Sequence, residues 1–145
     1  QDRVASSTAP EQAGPAPLAD RYRQLAAESD SVVTPWSLPS DPEFAAVRGE
    51  VLWNDRLQAG FLRFEGMPVN DPLRRQYQLW IVDPVRDSRP VDGGVFDIAA
   101  ADEVVIVPIR AKLAVDNPQL FAVTREKPGG VVVSEGPLLL LARPG

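Results

Sequence analysis

At 145 residues the chain has the length of one domain, enough to bury roughly 68–70% of its unfolded surface without help from a metal or disulfide. It contains no histidine and no cysteine, which excludes Ser-His and Cys-His nucleophile pairs and thiolate or imidazole metal sites. A formal charge of −5 from interspersed acids and bases argues against nucleic-acid binding, which draws on a basic patch.

The missing cysteines also leave the redox compartment unreadable. No stretch approaches the ~20 apolar residues of a membrane span. The start at Gln1, without a signal-peptide pattern, reads as a fragment, processed or cut, so the absence of an anchor here says little about what lies upstream. Fifteen prolines block helix interiors and favour short strands and turns.

Residues 1–17 are rich in Ala, Pro, Ser and Gly, with Val4 the one bulky apolar side chain. They read as a flexible tail or linker. From Leu18 to Ser29 the stripe Leu18, Tyr22, Leu25 and Ala26 predicts a short helix, opened by Pro17. Strands follow. Val32 to Trp36 is β-branched and aromatic, and a turn covers Pro39 to Pro42. Val47 to Asn54 and Leu57 to Glu65 form an expected hairpin, with Leu62 and Phe64 on one face and Phe61 and Arg63 on the other.

Met67 to Leu73 is a loop. Gln76 to Val82 is apolar on both faces, which fits a doubly covered central strand. After the charged loop Asp83 to Arg89, a strand from Val91 to Ile98 carries a bend or bulge at Gly93-Gly94. Val104 to Ile109 is an apolar run interrupted by Pro108, and a turn or single helical turn is expected between Ala111 and Leu120. Phe121 to Glu126 alternates, Pro128-Gly129-Gly130 turns the chain, and Pro137 to Ala142 is the last strand. About eight short strands spaced by turn signals fit an all-β, antiparallel sandwich with a flexible N-terminal arm and one short helix; a closed barrel is the competing architecture. The expected division is a tether and helix over 1–30 and the sandwich over 31–145.

The residues nominate no catalytic, cofactor or metal site. Asp97 with Asp102 or Glu103 is a possible acid pair, but twenty acids produce such pairs by chance. Asp71, Asp83, Asp87 and Asp92 sit in loops without calcium-ligand spacing. Gly93-Gly94 and Gly129-Gly130 lack the flanking elements of a phosphate loop and read, like Gly49 and Gly60, as positions needing positive φ. Of the three tryptophans, Trp80 is expected in the core and Trp36, near a strand end, is the most exposed; Trp53 completes the set from which an aromatic platform would be built.

Four words stand out: Tyr77-Gln78-Leu79-Trp80, Gly94-Val95-Phe96, Val123-Thr124-Arg125-Glu126 running to Gly129-Gly130, and the bend Gly66-Met67-Pro68 after the strand Val51-Leu52-Trp53. Together they resemble the C-terminal domain of the anti-sigma-K factor family of bacteria, over roughly residues Val32 to Gly145. Met67 replaces the usual Leu, Arg125 replaces an apolar residue, and Val131-Val132-Val133 departs from a polar turn; these differences mark a divergent member.

The resemblance implies an extracytoplasmic sensor or regulatory domain of a single-pass, membrane-anchored anti-sigma factor. Its partners would be a sigma factor, held by a missing cytoplasmic domain, and a site-specific protease acting on the tether at 1–17. Cleavage would release the sigma factor for transcription, with no catalytic residue and no cofactor in this chain. The alternatives are a secreted carbohydrate- or peptide-binding β module, marked by an exposed aromatic cluster, and a hydrolase built on two convergent carboxylates.

Overall fold

The computed structural model describes residues 17–37, 41–85 and 89–144. The expected tail at 1–16, the start of the 39–42 turn and Asp87 lie outside the described residues. Nine residues, Leu18–Ala26, form the helix α1 after Pro17. The chain then turns, so the helix stops three residues before the expected Ser29. Strands β1 (Val32–Pro35), β2 (Arg48–Asn54) and β3 (Ala59–Glu65) come next. They are followed by β4 (Gln76–Val82), β5 (Val91–Phe96) and β6 (Val105–Pro108). Strands β7 (Leu120–Glu126) and β8 (Leu138–Ala142) complete the set.

These strands make two separate four-stranded antiparallel sheets. Sheet I has the order β1-β2-β3-β6 and sheet II the order β5-β4-β7-β8. Because no ladder joins the sheets among the described residues, the architecture is a sandwich and not a barrel. Prolines punctuate the margins: Pro35 and Pro108 lie within edge strands of sheet I, and Pro90 and Pro137 immediately precede the edge strands of sheet II.

Alternation decides what each strand buries. Val51, Trp53, Leu62 and Phe64 of sheet I meet Tyr77, Leu79, Ile81, Phe121 and Val123 of sheet II in one core. Five rings bridge the sheets in sequence. Trp36 stacks on Phe64 at 5.3 Å, Phe64 on Phe96 at 5.4 Å and Phe96 on Tyr77 at 5.5 Å, with Phe44 edge-on to Tyr77. Such aromatic pairs add to simple area burial. Phe44, fully buried, sits in a short 3-10 turn, Pro42–Phe44, capped by the Asp41 carboxylate. That turn puts a core residue into a segment with no strand or helix period of its own.

Both outer faces are also covered. On sheet I, α1 lays Leu25 and Tyr22 against Leu52 and Phe61, so Phe61 is buried on the face opposite Leu62. The Tyr22 hydroxyl donates to Glu50, and Arg63 bridges Glu50 and Glu65 beside it. Below the helix, Asp30 accepts from Arg56 and Asn54 of the β2–β3 hairpin. Those bonds hold the Asp30 carboxyl down at about 2.

Residues 111–119 contain no helical turn. Side chains fix them as irregular loop instead: Gln58 exchanges two bonds with the Val115 backbone, Asp83 accepts from the Asp116 amide and Asp55 from the Asn117 amide. Those partners are distant in sequence, so local pattern does not reveal them. Gly49 has φ 133°, and a Cβ there would meet Arg63 O at 1.9 Å. Gly60, in contrast, needs no positive φ. It is glycine because the Leu52 carbonyl and the Trp53 ring occupy the space of its side chain.

Candidate binding groove

The outer face of sheet II brings the sequence words together. Even-numbered residues of β4 and β7 point there: Gln78, Trp80 and Val82, then Ala122, Thr124 and Glu126. Trp80 is buried, as expected, but not between the sheets. It lies on this outer face, covered by the segment that links β7 to β8, because Tyr77, Leu79 and Ile81 take the inner face. Two apolar faces on one strand conceal which of them is the inter-sheet side.

That linking segment, residues 129–136, forms a flap held by side chains of the sheet. Gln76 Oε1 accepts from the Gly129 amide at 2.8 Å, and Gln78 exchanges two 3.0 Å bonds with the Val131 backbone. Gly129 and Gly130 have φ of 86° and 79°, the left-handed conformation the turn requires. A side chain at Gly130 would also strike Val95 and Gln78.

Glu126 fastens the other end. Its Oε1 accepts from the amides of Glu135 and Gly136 at 3.0 and 2.8 Å, and its Oε2 accepts from the hydroxyls of Thr124 and Ser134. Burial pushes the Glu126 carboxyl up. The bonds from Ser134, Thr124 and the two amides outweigh burial, so it sits below its ordinary value. Trp80 completes the chain of bonds by donating its indole N–H to Thr124 Oγ1. The Tyr77 hydroxyl meanwhile reaches the Pro68 carbonyl, tying the β4 word to the Gly66-Met67-Pro68 bend.

The model of the C-terminal domain of anti-sigma-K factor RskA matches residues 1–137. The chain belongs to this family. The match begins earlier than the expected Val32 and ends just before β8. No curated protein and no solved structure matches the chain. In this RskA-type domain three of the four sequence words meet in direct contact. Gln78 and Trp80 of the first hold the turn and Thr124 of the third, and Tyr77 holds the bend. The Thr-x-Glu spacing stands in the sequence, but nothing in it marks the latch, whose partners at 134–136 lie across the turn.

Between flap and sheet runs an apolar groove of about 800 Å³, floored by Trp80, Val82, Ala122 and Leu141 and walled by Val132 and Val133. The other nominated residues do not converge. Asp97 accepts from Asn70 and Gln76, while Asp102 and Glu103 are exposed. Asp71 caps a turn, Asp92 caps Gly94 and pairs with Lys112, and Asp83 holds the 116 loop. Among the described residues no cluster of acids could hold a metal ion, and no helix is long and apolar enough to cross a membrane.

The tryptophans make no platform either. Trp36 is half-buried on Phe64 and donates to the Arg63 carbonyl, contrary to its expected exposure; its ring closes the end of the core. Trp53 is buried in the core, its N–H on Asp55.

Proposed function

We propose that this chain is the extracytoplasmic regulatory domain of a membrane-anchored anti-sigma factor, and that its folding state controls proteolytic release of the sigma factor. Family membership supplies the link to a sigma factor. The observation that carries the mechanism is the docking of α1. The helix directly follows the Pro/Ala/Ser-rich segment 1–17, and it is fastened to sheet I by Leu25, by Tyr22 on Glu50 and by the Asp30–Arg56 contact.

In this reading the segment 1–17 is the tether and α1 is its attachment to the sandwich. Proteases cut extended, unpacked backbone, and a small satellite cluster opens more readily than the main core. Where opening is fast relative to cutting, the cleavage rate follows the open population. The domain then needs no catalytic group of its own.

The test is made in the source bacterium with the full-length protein. Leu25→Ala combined with Tyr22→Phe removes the apolar anchor and its hydroxyl, at a cost of about 2–3 kcal/mol at the helix. Tether cleavage and transcription from the sigma factor's promoters should both rise severalfold. If hydrogen exchange shows α1 released while cleavage stays at the wild-type rate, the reading is wrong.

A further inference from the structure

One end of the sandwich gathers three arginines around an open cleft of about 440 Å³. Arg74 and Arg75 come from the turn before β4 and Arg125 from β7, with Asp71 the single acid in the lining. These cations are set in place by the fold. The Asp71 carboxylate accepts from the Leu73 amide, and its carbonyl accepts from the amides of Arg74 and Arg75. The Asn70 side chain ties the same turn to the Arg75 carbonyl and to Asp97. Arg125 is 28% exposed, and its guanidinium lies 5.8 Å over the ring of the fully buried Phe44. The ion pairs here are single contacts, Arg125 to Glu43 at 3.4 Å and Arg74 to Asp71 at 3.7 Å. Water-exposed pairs of that kind are weak and exchange readily for a better anion. Each guanidinium presents five donors in a planar fork that matches phosphate oxygens.

An apolar side chain stands beside them. Leu73, next to Arg74 at the top of the turn, is 87% exposed. Apolar tips flanked by arginines suit a bilayer interface, where the tip enters the acyl boundary and the guanidiniums stay with the phosphates.

Position favours the same partner. Asp30, just after α1, bonds Asn54 at the far end of β2, whereas Tyr22 bonds Glu50 nearer its start. The helix therefore begins toward the end of sheet I where Arg48 pairs with Glu65. From there Phe64 stacks on Phe96 and Phe96 on Tyr77, the register partner of Arg125. The chain thus enters α1 at the end that carries the arginines. At a net charge of −5 the domain as a whole is repelled by an anionic surface, so attraction needs a local cluster of this kind.

We propose that the 71–75 turn and Arg125 form a docking site for an anionic phospholipid surface. Leu73 enters the interface, and the three guanidiniums hold headgroup phosphates. The inference rests on the membrane-anchored reading above, which puts a bilayer at the tether end of the domain.

The experiment mixes the 145-residue chain with vesicles of phosphatidylcholine, with and without phosphatidylglycerol, and reads binding by co-sedimentation. Only the vesicles with phosphatidylglycerol should bind, and molar salt should release the protein. Partitioning should weaken about fivefold for each arginine removed, in Arg74→Gln with Arg75→Gln and in Arg125→Leu, which keeps a side chain on Phe44. Leu73→Asn should weaken it about tenfold. The Arg74, Arg75 and Leu73 side chains are exposed, so those variants should melt with the wild type. Binding to neither vesicle, equal binding to both, or binding untouched in the double arginine variant overturns the proposal. Glycerol phosphate bound as tightly as the vesicles, and indifferent to Leu73→Asn, would assign the cleft to a soluble phosphate and overturn the lipid contact. The vesicles hold no protease and no sigma factor. Failure here therefore leaves the tether-cleavage result standing, and failure of that test leaves vesicle binding standing.

Discussion

Trp80 on β4 and Thr124 on β7 sit diagonally across the central strand pair of sheet II, joined by a 2.8 Å bond from the indole N–H to Oγ1. The bond neutralises the one polar atom of the tryptophan and leaves its ring as plain apolar surface. It also sets the Thr124 hydroxyl to donate to Glu126. A polar relay on one side of the flap thus creates an apolar floor on the other.

Glu126→Ala strands four donors: two hydroxyls and two amides. Urea unfolding should show a loss of about 2–3 kcal/mol. Native hydrogen exchange at Glu135 and Gly136 should accelerate far more than exchange in β4. Glu126→Gln, which keeps the shape but not the charge, should fall between the two.

The same carboxylate makes the flap acid-sensitive. Its folded pKa lies below its ordinary value, so its stabilising contribution is complete above the ordinary carboxylate range and is lost as pH falls through the folded pKa. Exchange at Glu135 and Gly136 should therefore rise on acidification while the core strands remain protected. Glu126→Gln should flatten that dependence.

Alkali tests the two tyrosines. Burial pushes Tyr77 up to about 12, with the Arg125 charge pulling down and Glu43 adding to the rise. Burial, together with the Glu50 bond, raises Tyr22 further. Native protein should show no tyrosinate absorbance step near pH 10, the ordinary value, and such a step should appear on unfolding. Both groups have raised folded pKa values, so their stabilisation is complete below pH ~10 and fades as pH rises through the folded values.

Gly49→Ala places a Cβ 1.9 Å from a carbonyl oxygen at φ 133°. Relief requires β2 and β3 to separate where they bury Val51 and Phe64. The cost should be at least about 3 kcal/mol, visible as loss of cooperative unfolding or of soluble protein. Gly129→Ala, with open space around its Cβ, should cost only about 1 kcal/mol.

The strands were legible because alternation is local: Leu62 against Phe61, or Val123 against Thr124, follows from neighbours alone. Trp80 shows where that logic stops, since both faces of β4 are apolar and only the packing partner separates them. Phe44 was lost because a three-residue turn has no period to read. The groove was illegible for a related reason. Val132 and Val133 stand in a turn, and their meaning depends on a sheet face built from residues some ten to fifty positions earlier together with Leu141 after them. The Thr-x-Glu word was visible, but its chemistry waited for Ser134 and Gly136.

The prolines at the sheet margins carry a consequence for many copies of this domain crowded together. Pro35 and Pro108 offer no N–H on the two free edges of sheet I, and Pro90 and Pro137 stand at the entrances to the two free edges of sheet II, one of them further bent by the bulge at Gly93-Gly94. A neighbouring strand therefore finds no long, flat row of donors to continue. Dense arrays of the domain should remain collections of individuals, with sheet extension disfavoured most at the two borders of sheet I, where a proline stands within the edge strand itself.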